Sequence, residues 1–104
     1  MKMDSQIILG RILQRLIDQA HSQVEGYNRF EFRRLNTNNV VVSREKGAAT
    51  PMPYRKLIVA IQAYQTSPTL YDEGPSALRK FGITHITSPI FSLLHLLEKD
   101  VYCK

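Results

Sequence analysis

Apolar residues recur at every fourth position from Ile8 through Ile12 and Leu16 to Ala20, with Leu9, Leu13 and Ile17 in a second row beside them. This spacing predicts an amphipathic helix over residues 5–23, capped by Asp4 or Ser5 and solvated along Arg11, Gln14, Arg15 and Asp18. Gly10 inside it costs about 1 kcal/mol relative to alanine and marks a candidate close approach to a neighbouring element. After Gly26 the period changes to two: Phe30 and Phe32 alternate with Glu31 and Arg33 as far as Leu35, the mark of a half-buried strand. Asn36 to Asn39 is a turn by chemistry, and Val40-Val41-Val42 resumes as a β-branched strand, so the segment reads as a hairpin. Strict alternation puts Arg29, Glu31 and Arg33 on one face and Phe30, Phe32 and Arg34 on the other.

Arg44 to Ala49 is polar and small, the composition of an exposed loop. Pro51 and Pro53 read as a helix start, followed by Tyr54, Leu57, Ile58, Ile61 and Tyr64 at helical spacing, which predicts a second helix over 53–66. The connection from Thr69 to Gly74 dips back to the core through Leu70 and Tyr71. Pro75 opens a short helix with Leu78 and Phe81, closed by Gly82 in a left-handed cap. Ile83 to Thr87 is an extended link and a candidate third strand. Ser88-Pro89 then starts a helix over 89–99. Its residues Ile90, Phe91, Leu93, Leu94, Leu96 and Leu97 are apolar around most of the circumference, which implies burial in the middle of the domain or in a subunit interface. The order is α-β-β-α-α-α, an α+β domain of residues 1–104 in which a β-hairpin packs against three to four helices.

Length and composition agree with one ordinary core: 104 residues, 43% hydrophobic and 22% charged. No run of about 18 to 20 apolar residues provides a membrane span. Cys103 is the sole cysteine, which excludes an internal disulfide and fits a reducing cytoplasm. Charge changes the picture more. Arg29, Arg33, Arg34, Arg44, Lys46, Arg55 and Lys56 stand against Glu31 and Glu45 alone between residues 29 and 56, so this segment carries the whole formal excess of +5. Such a concentration points to a polyanionic partner.

Candidate chemistry is sparse. His21, His85 and His95 lack the spacing of a helical zinc pair, and no second cysteine completes a structural zinc site. The glycines are scattered as turn and cap residues, so no phosphate-cradling loop occurs. No cofactor is implied. An enzyme reading would need His85, Asp72 and Glu73 to meet in a cleft; the plainer reading makes His85 a structural hydrogen bonder and the two acids complements to the start of the next helix. From Pro75 to Lys99, a short helix, a Gly-Ile-Thr turn at 82–84 and a further helix resemble the helix-turn-helix of DNA-binding domains. That resemblance would imply a DNA-reading second helix. Pro89 begins that helix later than the motif requires, however, and Ile90 to Leu97 is too apolar for a groove, so the segment reads as a helical hairpin that builds core.

The leading expectation is a non-enzymatic intracellular binding protein that engages DNA or RNA through the basic hairpin and its loop. Arg29, Arg33, Arg34, Arg44, Lys46, Arg55 and Lys56 are the candidate phosphate contacts, with Asn38 at the tip as a hydrogen bonder and Tyr27 as a candidate stacking residue. The alternative is an assembly module that self-associates through helix 5–23 or helix 89–99.

Overall fold

The first helix opens on Asp4, whose carboxylate accepts the Gln6 amide at 2.7 Å. In the computed structural model, which describes residues 3–44 and 47–103, helix α1 spans Ser5–Gln19. Ile8, Ile12 and Leu16 are wholly buried along one face. The helix ends before the expected residue 23 because Ala20 turns left-handed at φ 65° and returns its N–H to the Leu16 carbonyl. His21–Ser22 then forms a short strand, β1. Ser22 is drawn inward, where its hydroxyl shares a buried hydrogen bond of 2.7 Å with Ser92.

Strands β2 (Phe30–Leu35), β3 (Asn39–Arg44) and β4 (Ala49–Pro53) complete a four-stranded antiparallel sheet in the order β1-β2-β3-β4. The expected hairpin is its centre. The outer two strands correct the sequence reading. Pro51 and Pro53 do not begin a helix; they lie in β4, an edge strand, where a residue without an N–H breaks no ladder on the free side. Met52 between them is wholly buried. Helix α2, Tyr54–Thr66, follows directly.

The sheet's inner face carries Phe30, Val40, Val42 and Met52 into one hydrophobic cluster with α1, α2 and the C-terminal half. Each fully buried side chain of this kind contributes roughly 1.5–3 kcal/mol. Two 3-10 helices follow α2, at Pro68–Asp72 and Pro75–Phe81, the second closed by Gly82 at φ 86°. Residues 83–86 are not a strand: Ile83 is buried as an anchor, but Thr84 and His85 are exposed and no neighbouring strand pairs with them. Helix α3 is Thr87–Leu94, shorter than 89–99, and every residue from Pro89 to Leu94 is buried. Its apolar circumference is thus taken up in the middle of the domain rather than at a subunit interface.

Helix α4, Lys99–Cys103, brings Tyr102 back to the core, where its hydroxyl donates to the Leu94 carbonyl at 2.5 Å. Tyr102 packs edge-on to Tyr64 at 5.2 Å, and Tyr71 and His95 close the cluster. Burial pushes the Tyr64 and Tyr102 hydroxyls far above the ordinary phenol range. No helix among the described residues is long and apolar enough to cross a membrane. The element order is α-β-β-β-β-α-α-α, an α+β architecture in which one side of the sheet shares a buried cluster with the helices.

Candidate nucleic-acid interface

The sheet's other face is built around a bulge. Phe32 stands opposite Val42, but Arg34 stands opposite Val41, so β2 advances two residues while β3 advances one. Arg33 is the extra residue. Strict alternation would have turned Arg34 toward the core and Leu35 toward solvent. The bulge reverses both: Arg34 shares the side of Val41, and Leu35 shares the side of buried Val40. Turning an arginine inward without a partner would cost several kcal/mol, which is the physical reason for the register change. The sequence signal is the Arg33-Arg34 doublet, which interrupts an otherwise regular alternation.

Val41 and Ser43 project from the outer face yet are each only 2% exposed. Val41 lies between Arg34 on one neighbouring strand and Pro51 on the other. Arg33 lies across the sheet and donates Nε to the Ser43 hydroxyl at 2.6 Å. That bond fixes the guanidinium and leaves its two terminal amino groups to donate outward. The same face carries Arg29, which donates to Glu31 at 2.7 Å across an exposed ion pair. Such a pair is worth less than about 1 kcal/mol and exchanges readily for another anion. Among the described residues the ion pairs are Arg29–Glu31 and Lys99–Asp72, so neither Arg33 nor Arg34 has a carboxylate partner there.

The remaining candidates are elsewhere. Arg44 stands opposite Phe30, on the helix side of the sheet, with its guanidinium 5.9 Å from the centre of the Phe30 ring. It lines a cleft of about 310 Å³ with Gly47, Thr50, His85 and Pro89. Asn38 and Arg55 meet at the opposite end of the sheet, in a cleft of about 430 Å³ lined also by Asn39, Pro53 and Tyr54. There the turn is fastened to α2: the Tyr54 N–H donates to the Asn38 carbonyl at 3.0 Å and its hydroxyl to the Asn36 carbonyl at 2.8 Å. Lys56 is half-buried beside this end. The six residues of β3 separate the two ends by about 17 Å. Lys46 lies outside the described residues. Tyr27 leans on the Phe91 ring at 5.1 Å, on the helical side and away from the outer face.

The structure therefore brings together Arg29, Arg33 and Arg34, with Ser43 as a supporting residue that sequence reasoning passed over, and separates Arg44 from Asn38, Arg55 and Lys56. His85 lines the Arg44 cleft, whereas Asp72 is bonded to Lys99 on α4. Among the described residues no group of three His, Cys, Asp or Glu side chains could hold a metal ion. Comparison with protein-family models, with curated protein sequences and with solved structures gives no significant match.

Proposed function

We propose that this protein is a non-enzymatic binding module that lays the bulged outer face of its sheet along a nucleic-acid backbone. The observation that carries the reading is the β2 bulge, which sets two consecutive arginines on the side of the sheet away from the core cluster, beside a third. Arg33 is held in place by Ser43, Arg34 lacks a carboxylate among the described residues, and Arg29 exchanges its weak pairing with Glu31 for a phosphate. Contacts of this kind position a protein on a polyanion without reading its sequence.

The test is a salt titration of binding to duplex and single-stranded oligonucleotides followed by fluorescence anisotropy. With three phosphates neutralised, the logarithm of affinity falls against the logarithm of salt with a slope of about −3 on duplex. The double variant Arg33→Ala/Arg34→Ala lowers that slope by about 2, whereas Arg44→Ala, on the other side of the sheet, leaves it unchanged. Binding that ignores salt, or that survives the double variant, rejects the reading.

A second reading has its own observation. Between α1 and α2 runs a groove of about 610 Å³ lined by Leu9, Gly10, Leu13, Tyr54 and Ile58, and Ile7 and Ile17 on α1 remain 54% and 40% exposed. This favours self-association through α1. Light scattering separates the two: apolar association raises the mass with protein concentration and is nearly indifferent to salt.

A further inference from the structure

At the end of the sheet away from the Asn36 to Asn39 turn, the cleft of about 310 Å³ collects hydrogen-bond donors from three separate elements. Arg44 ends β3, Thr50 lies in β4, and His85 belongs to the link that leads into α3. The sheet register sets the first two on one side: Phe30 stands opposite Arg44, and buried Val42 stands opposite Thr50. Among the described residues none of these three side chains makes an ion pair or a hydrogen bond. None of the described residues lining the cleft is acidic. Water satisfies such groups one at a time; several that converge on one recess, with no carboxylate in its walls, fit an external oxyanion.

The arginine is held for the task. Its guanidinium lies 5.9 Å from the centre of the Phe30 ring, a cation over a buried aromatic face. The turn after β3 closes against its stem, because the Gly47 N–H donates to the Arg44 carbonyl at 3.1 Å. A Cβ added at Gly47 would lie 3.2 Å from the Arg44 Cβ, so any side chain there would push the stem aside.

We propose that this cleft seats a phosphate monoester. A planar carboxylate has two oxygens, which Arg44 alone would occupy as a bidentate partner, leaving Thr50 and His85 with nothing to bind. A monoester presents three acceptor oxygens in different directions, one for each donor element. An internal diester of a nucleic-acid backbone presents two. The volume is about ten times the ~30 Å³ share of a water molecule, so an organic group fits beside the phosphate, against Ile86 and Pro89. The sheet lies between this cleft and Arg33 and Arg34, so the site is independent of backbone binding on the outer face, and either can fail without the other.

The test uses the full chain and phenyl phosphate as the probe, followed by ¹H–¹⁵N NMR of the backbone amides. Shifts should saturate with a dissociation constant of about 1 mM or below and centre on Gly47, Thr50, His85 and Ile86. Benzoate should bind at least about tenfold more weakly, and Arg44→Gln should weaken phenyl phosphate by a similar factor. His85→Ala, at an exposed position, should also weaken it, and neither variant should move the melting temperature. Competition identifies the source of the monoester: a 5′-phosphorylated trinucleotide displaces the probe if the ligand is a strand end and leaves it bound if the ligand is a free small molecule. Displacement by the 5′-hydroxyl trinucleotide overturns the proposal, because diesters would then suffice. So do shifts that never saturate, benzoate binding as tightly as phenyl phosphate, or full affinity in Arg44→Gln.

Discussion

Two tyrosines 5.2 Å apart should respond in opposite directions to the same substitution. The Tyr64 hydroxyl is buried and has no hydrogen-bond partner among the described residues, whereas Tyr102 donates to the Leu94 carbonyl. Both rings are almost wholly buried, and replacing either by phenylalanine leaves the ring in place. For Tyr64 the change removes a polar group that lost its water on folding and gained nothing in return, a deficit of about 1–3 kcal/mol. Part of that is recovered, so Tyr64→Phe should stabilise the protein by about 1 kcal/mol. For Tyr102 the change removes a satisfied bond and strands the Leu94 carbonyl in the core, so Tyr102→Phe should destabilise by about 1–2 kcal/mol. In a domain of this length each kcal/mol moves the melting temperature by roughly 4–8 °C, so the two variants should differ by about 10 °C or more in a calorimetric scan at neutral pH. Urea unfolding with an unchanged slope gives the same quantity independently. If Tyr64→Phe destabilises by as much as Tyr102→Phe, the Tyr64 hydroxyl has a partner, and the reasoning from its isolation fails.

Other expectations follow from the same cluster and from the sheet. Both phenols hold their protons more tightly folded than unfolded, so stability is intact below about pH 10 and falls above it, by about 1.4 kcal/mol per pH unit for each; Tyr64→Phe should lessen the slope seen by circular dichroism at alkaline pH. Deleting Arg33 removes the extra residue of the bulge while leaving Arg34 opposite Val41 and Leu35 opposite Val40; the shortened chain should fold at a cost of no more than about 2 kcal/mol, chiefly the lost bond to Ser43. Gly10→Ala meets nothing within 4 Å and should add up to about 1 kcal/mol of helix stability. If the groove above Gly10 holds a second copy, the same variant should lower the association constant measured by sedimentation. Gly82→Ala must adopt φ near 86° and should cost at least about 1 kcal/mol by thermal unfolding.

Periodicity made the centres of elements legible and their ends obscure. Ile8, Ile12 and Leu16 announced α1, but the same spacing ran on to Ala20, whose left-handed turn depends on what His21 and Ser22 gain by pairing with β2. A two-residue strand has no sequence period to detect. Pro51 and Pro53 misled for a related reason: proline suits a helix start and an edge strand alike, and only the pairing with Asn39–Ser43 distinguishes them. The basic segment was visible as a sum, but its division among three places was not, because a chain position says nothing about which side of a sheet it occupies once a bulge intervenes. Arg33-Arg34 held the clue in its failure to alternate. The hydrogen bond from Arg33 to Ser43 and the one between His95 and the Tyr71 carbonyl join residues on different elements, and no local pattern encodes such meetings.

The run Val40-Val41-Val42 is the stretch of this chain best suited to stack into a fibril. It occupies an interior strand, with both backbone edges engaged. A molecule seeking to extend the sheet past β4 meets Pro51 and Pro53, and one approaching β2 beyond the two residues of β1 meets a bulged, doubly charged segment. Lateral polymerisation is thereby obstructed along both margins. The surface arginines thereby stand as gatekeepers, and variants that neutralise them should give up part of this protection against aggregation.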